Sequence, residues 1–278
     1  MSDLLTRFVE AYPAQPATAY WRAVEIDALA SAGLPHGRGF DLGCGDGKLT
    51  DILLSLTGPR TLVGLDPDPL ETAAAKKWPF YEAVLTAPGD AVPEPDGAFD
   101  FVISNSVLEH IPNLEPVIAE VGRLLRPGGR FYFTVPQPAF HDNLAGGLGD
   151  RVQYLERLDK RLAHFNYLDA DAWTQLCARH SLKVDQVRGY LDKRQTRRWE
   201  SLSRMTGGLL YALGGGRWRP IEIQRAMGAR ALQNAAGAPR PLAAGLAGLI
   251  SLGAPVRQGD PWCEAASASC LLVEGVRQ

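Results

Sequence analysis

Phe40-Asp41-Leu42-Gly43-Cys44-Gly45-Asp46-Gly47-Lys48-Leu49-Thr50 is the stretch on which the reading of this 278-residue chain turns. An apolar run closes on an acidic residue, glycines follow at the alternate positions Gly43, Gly45 and Gly47, and a helical pattern begins at once. That order predicts a buried strand, a tight turn and a helix start. Glycine tolerates positive φ and has no Cβ to hold a ligand off the backbone, so a turn of this kind suits a bound cofactor. A Gly-rich turn also arises for steric reasons alone. The segments on either side decide between the two.

Downstream, short apolar runs at 38–42, 61–65, 80–85, 99–104 and 130–135 alternate with helical stretches. This predicts a parallel sheet with helices on both faces. The second run ends in Val63-Gly64-Leu65-Asp66-Pro67, which places Asp66 at a strand's C-terminal tip. Ligands of open sheets bind outside those tips, and a carboxylate about twenty residues after the Gly-rich turn can accept hydrogen bonds from ribose hydroxyls. Asp68 is then available to cap the following helix. Past the third strand, Gly89-Asp90-Ala91 offers a carboxylate for an exocyclic amine and a backbone N–H for a ring nitrogen, an arrangement suited to adenine. The fourth strand delivers Ser104, Asn105 and then Leu108-Glu109-His110-Ile111 to the same edge. Leu124-Leu125-Arg126-Pro127-Gly128-Gly129-Arg130 reads as a helix stop, a Gly turn and a strand start.

Taken in this order and at these spacings, over roughly residues 20 to 190, the motifs resemble class I S-adenosylmethionine-dependent methyltransferases of the small-molecule group. The resemblance rests on residues 41–47, Asp66, residues 89–91, Phe99-Asp100 with Leu108-Glu109-His110-Ile111, and Leu125-Arg126-Pro127-Gly128-Gly129-Arg130-Phe131. It implies an α/β, Rossmann-like, seven-stranded and mostly parallel sheet with an antiparallel last strand. It implies S-adenosyl-L-methionine as cofactor, with Asp41, Gly43, Cys44 and Gly45 against the methionine part and Asp66 and Pro67 at the ribose. Asp90 and Ala91 would then hold the adenine, and Asn105 would lie beside the sulfonium through its backbone carbonyl. A nicotinamide dehydrogenase, the alternative of similar shape, spaces its glycines Gly-x-Gly-x-x-Gly rather than Gly-x-Gly-x-Gly.

Composition narrows the partners. A formal net charge of -2 argues against a general polyanion binder, because non-specific nucleic-acid affinity comes from a basic excess. Cys44, Cys177, Cys263 and Cys270 have no Cys-x-x-Cys spacing, so neither a zinc site nor a disulfide framework is signalled, and no metal is expected. With Asp3 near the start and no basic stretch leading into a long apolar run, no signal peptide is expected. The default location is cytoplasmic, with a peripheral position at the inner membrane as the variant. Helical spacing before Pro13 and after Pro16 predicts an N-terminal cap over residues 1–37, whose Tyr12, Tyr20 and Trp21 are expected to pack on the main domain.

Methyl transfer from a sulfonium is an in-line displacement that depends on positioning, with a base needed only when the nucleophile carries a proton. His110, His141 and His164 are the candidates, since histidine titrates near neutrality. After a helix at 169–180 and a strand at 182–190, the last strand arrives only at 270–277. The cofactor domain is therefore 38–190 with 267–278, and 191–266 is an insertion of about seventy residues, far beyond a hairpin. It opens basic, with Lys193, Arg194, Arg197, Arg198 and Arg204 around Trp199, and continues in apolar helical runs at 209–213, 221–236 and 242–252 around glycines 214–216. It is expected to be a helical lid, a homodimer surface or a membrane-facing element, and no run is long enough to span a bilayer. The expected activity is methylation, at oxygen, of a small-molecule or lipid-linked acceptor, with no nucleic-acid partner. The competing expectation is a catalytically inactive cofactor-binding partner.

Overall fold

The computed structural model describes residues 4–147, 149–208 and 239–278. The expected strands form within a residue or two of their predicted bounds, except that the fifth starts earlier. β1 (Arg38–Leu42), β2 (Thr61–Asp66), β3 (Tyr81–Thr86), β4 (Phe99–Asn105) and β5 (Leu125–Pro136) pair in parallel. β5 gains residues because Leu125 already pairs with Phe99, and the segment read as a Gly turn is a bulge between that pair and Phe101 with Arg130. With β6 (Leu182–Tyr190), β7 (Trp262–Cys263) and β8 (Cys270–Arg277), the sheet order is β3-β2-β1-β4-β5-β8-β6-β7. From β1 the chain builds outward through β2 and β3, then returns to place β4 on the other side, so the switch point lies between the C-terminal ends of β1 and β4.

The sheet has one strand more than the seven expected. The addition is β7, a two-residue edge inside the insertion that pairs with Gly189 and Tyr190. Trp262 of β7 lies under the Arg188 guanidinium, 3.9 Å from ring centroid to cation. β8 is antiparallel to both β5 and β6, and its Cys270 is paired with Tyr190. The insertion thus leaves and rejoins the sheet at one edge, so the chain runs straight back without a crossover.

Among the described residues the α-helices are α1 (Leu4–Ala11), α2 (Pro16–Ser31), α3 (Lys48–Thr57), α4 (Pro69–Ala75), α5 (Leu114–Leu124), α6 (Ala139–Asn143), α7 (Arg151–Leu162), α8 (Ala170–Ala178), α9 (Lys193–Ser203) and α10 (Arg240–Ile250). Strand alternation sends Val102, Phe131 and Phe133 to a core with Val117, Ile118, Val121 and Trp173 of α5 and α8. Phe101, Ile103 and Tyr132 face the opposite core, which holds Leu53 of α3 and the buried side of α2. That second core extends into α1, α9 and α10, where Phe8, Tyr20, Trp21 and Trp199 meet Ala243, Ala247 and Ile250. Tyr20 Oη donates to Ala254 O at 2.6 Å, Gly259 N donates to Asp27 Oδ2 at 2.8 Å, and the Trp21 and Trp199 rings stand 5.3 Å apart. Tyr20 and Trp21 are therefore packing residues, as expected, but their partners include the insertion as well as the main domain. The apolar runs at 209–213 and 221–236 and the glycines at 214–216 lie outside the described residues. Among the described residues, no helix is long and apolar enough to cross a membrane.

Candidate active site

The Gly-rich turn is fastened to the neighbouring strand by its own backbone. Gly43 N and Cys44 N both donate to Leu65 O, at 2.8 and 2.9 Å. Gly45 N donates to Asp66 Oδ2 at 3.1 Å, while Asp66 Oδ1 accepts from Asp68 N at 2.9 Å. Asp68 caps α4, its carboxylate accepting from Leu70 N, which leaves Asp66 at the strand tip. The glycines differ in what they do. A Cβ on Gly43, φ 81°, would stand 2.2 Å from the Val107 side chain, so this position is set by close packing. Gly45, φ 54°, has nothing within 4 Å of where its Cβ would be. Left-handed backbone facing open space, with a carboxylate one hydrogen bond away, is what a ligand cradle requires.

Asp41 is buried, and its Oδ2 accepts from Thr50 Oγ1 at 2.6 Å and Tyr81 Oη at 2.5 Å. Burial pushes its carboxyl up to about 6 against the pull of these two donors. It ties the start of α3 to β3 as well as standing next to the turn. Cys44 packs its sulfur against Gly64, whose added Cβ would meet Sγ at 2.9 Å, and burial raises the thiol above its ordinary range. Pro67, Asp90 and Ala91 are exposed, the last two a few residues past the end of β3. Asn105 is buried at the end of β4, its Oδ1 accepting from Thr134 Oγ1 at 2.8 Å.

Beside Asn105 stands a residue that sequence reasoning missed. Glu25 of α2 is fully buried and accepts from Thr134 Oγ1 at 2.9 Å, Tyr190 Oη at 3.2 Å, Asn105 Nδ2 at 3.3 Å and Ser106 Oγ. Its other partner is Arg22, whose Nη1 is 2.5 Å from Oε2. One carboxylate from the cap thus joins the C-terminal ends of β4, β5 and β6. The available signal was Arg22 and Glu25, spaced i,i+3 in a mostly apolar helical run, which on a buried helix implies a paired charge.

The three candidate histidines, far apart in sequence, come together. His141 Nε2 is 3.0 Å from Asp159 Oδ1, and that oxygen also accepts from Tyr167 Oη at 2.5 Å. Tyr167 Oη is in turn 2.9 Å from His164 Nδ1, and the His164 ring stands 5.0 Å from that of His110. The segment carrying His164 is pinned to the turn after β4: Phe165 N donates to Glu109 O at 2.7 Å and Asn166 Nδ2 to Ile111 O at 2.6 Å. Ala163, φ 59°, makes the bend that ends α7. Burial and the nearby His110 lower His164 to about 3, so its imidazole is neutral across the physiological range. Glu109, between these groups and Arg22, is buried, and burial pushes its carboxyl up to about 8.

The site therefore has an open backbone cradle at the switch point and, next to it, a cluster of hydrogen-bonded polar side chains under the cap. A family described as a methyltransferase domain matches residues 14–187. A ubiquinone biosynthesis O-methyltransferase of Xanthomonas oryzae pv. oryzae is 28% identical over 178 residues, which cover 60% of this chain and 72% of that protein. One from Xanthomonas campestris pv. campestris is 30% identical over 115 residues, 40% of this chain and 48% of the relative, so the chain spans about half the length of that protein. Among solved structures, an S-adenosylmethionine-dependent methyltransferase of Thermotoga maritima has a TM-score of 0.55 at 13% identity, covering 99% of this chain and 100% of that one. Geranyl diphosphate C-methyltransferase from Streptomyces coelicolor has a TM-score of 0.53 at 12% identity, covering 91% and 79%. These two likenesses concern the fold alone. The chain belongs to the class I S-adenosylmethionine-dependent methyltransferases. S-adenosylmethionine is its cofactor, and the uncrowded positive-φ backbone at Gly45 beside Asp66 fits such a ligand.

Proposed function

We propose that this enzyme methylates a hydroxyl oxygen of a small-molecule or lipid-linked acceptor, and that His141 takes the hydroxyl proton. The observation that carries this reading is the His141–Asp159 pair at 3.0 Å, in a pocket that also holds Tyr167 and His164. A histidine whose ring is oriented by a carboxylate can receive a hydroxyl proton, whereas an imidazole lowered to about 3, as at His164, is a poor acceptor. The relatives named ubiquinone biosynthesis O-methyltransferases support an oxygen acceptor.

When bound, the cofactor supplies a methyl group on positively charged sulfur. The chain's own work is then to hold that group and the acceptor in line, keep water out and receive one proton. In this reading Asp41, Gly43, Cys44 and Gly45 line the methionine part, Asp66 and Pro67 the ribose, and Asp90 and Ala91 the adenine. Asn105 would lie beside the methyl-bearing part through its backbone carbonyl. In this reading the molecule divides into a cap at 1–37, a cofactor domain at 38–190 with 267–278, and an insertion at 191–266 whose described helices α9 and α10 pack with the cap.

The test is transfer of labelled methyl to a panel of phenolic hydroxyl acceptors with and without an isoprenoid tail. His141→Asn should lower kcat by about 100-fold or more, the range of general-base catalysis, while leaving cofactor affinity unchanged. Full activity in that variant would remove His141 from the chemistry. Leu242, Leu249 and Leu252 of the insertion are exposed, which supports a lipid-linked acceptor reached at a membrane surface. Failure to float with anionic vesicles would count against that part of the reading.

A further inference from the structure

Glu109, His110 and His164 each bring one donor atom to a common place, with all three atoms within 4.8 Å of one another. Glu109 is 2% exposed, and its Oε2 has no hydrogen-bond partner among the described residues. The nearby guanidinium of Arg22 is engaged by Glu25. A buried carboxyl oxygen without a donor is left unsatisfied unless a proton or a cation takes that place.

The two imidazoles are prepared for such a partner. His110 Nδ1 lies 3.0 Å from Ala163 O, which can only accept, so Nδ1 carries the proton and Nε2 holds the lone pair. Tyr167 Oη gives its own proton to Asp159, so it accepts from His164 Nδ1, and the lone pair of His164 is again on Nε2. Rings fixed in one tautomer by a carbonyl, or by a hydroxyl backed by a carboxylate, are the usual support of metal-binding histidines. The hydrogen bonds from Phe165 N and Asn166 N to Glu109 O hold the two segments in this juxtaposition.

We propose that Glu109, His110 and His164 bind one divalent cation of the Zn2+, Fe2+ or Mn2+ class. Two nitrogens and one carboxylate oxygen favour these ions over Ca2+ or Mg2+, which prefer oxygen donors. Bonds of about 2.0–2.2 Å require the donors to draw in from their present separation, which side-chain rotation supplies. Three protein ligands leave further coordination positions, and the His110 side chain, 40% exposed, puts the site at the open side of the pocket. An oxygen donor of the acceptor could fill such a position. Cation binding by these three residues does not depend on the identity of the acceptor.

The test uses tag-free, chelator-treated protein without cofactor, titrated with Co2+ by visible d–d absorption and with Zn2+ by calorimetry. One cation per chain is expected. Glu109→Gln and His164→Ala should weaken binding at least 10-fold, and Tyr167→Phe, which removes only the oxygen supporting His164, by about 10-fold or more. His180→Ala should bind as the parent does. Melting curves of the near-isosteric Glu109→Gln and Tyr167→Phe proteins separate loss of the site from loss of the fold. Absence of binding at one cation per chain, or binding undiminished in folded Glu109→Gln and His164→Ala proteins, would overturn the proposal and leave Glu109 as a buried neutral acid.

Discussion

At the scale of single residues, the Gly-rich turn separates packing from binding. Gly43→Ala drives a methyl group into Val107 at a left-handed φ, so it should lower the melting temperature markedly, whether or not cofactor is added. Gly45→Ala has space for its methyl group and should cost only about 1–2 kcal/mol of backbone strain. Its main expected effect is at least a 10-fold loss of S-adenosylmethionine affinity by calorimetry. Equal affinity in Gly45→Ala and the parent would show that the ligand does not approach there. Asp41 makes a different prediction. Burial pushes its carboxyl from the ordinary 3.8 up to about 6, so the fold prefers the protonated acid. That contribution is fully present below about pH 3.8 and is lost as pH rises through about 6, a swing of about 3 kcal/mol. Melting temperatures of Asp41→Asn measured from pH 4 to 7 should therefore rise relative to the parent across this window. A constant difference between the two would contradict the assignment.

At the scale of elements, α2 is the joint between cap and sheet. Its burial is nearly all round, and Glu25 collects hydroxyl and amide donors from three strands and a guanidinium from its own helix. Removing that carboxylate leaves the half-buried Arg22 without this partner and several buried donors unsatisfied. Glu25→Ala should therefore lose about 3–5 kcal/mol in denaturant unfolding, and Glu25→Gln less, because it keeps an acceptor. A loss below about 1 kcal/mol for Glu25→Ala, typical of exposed pairs, would mean that the network is not what holds α2 in place.

At the scale of the whole molecule, the cap and the insertion share one core with a face of the sheet. A chain starting at residue 38 should therefore fail to reach a cooperatively folded state by circular dichroism and thermal melting. A stable truncated domain would show that the cap is an accessory layer. The strands, their direction and the cradle at Gly45 and Asp66 were legible in the sequence, because apolar runs, punctuating glycines and a carboxylate at a strand tip are local signals. β7 was not legible, since two residues carry no periodicity and owe their pairing to the edge that β6 presents. Nor were the different surroundings of His110, His141 and His164. Asp159, Tyr167 and Ala163 O, which set the environment of those rings, meet them only when α7 folds back on the turn after β4. The sequence by itself determined the fold class and the cofactor, because a strand, turn and helix with its ligand backbone is a contiguous piece of chain. Tertiary structure alone decided that Glu25 is buried among three strand ends and that Glu109 faces two imidazoles, because these are contacts between distant segments, made only once the core has closed.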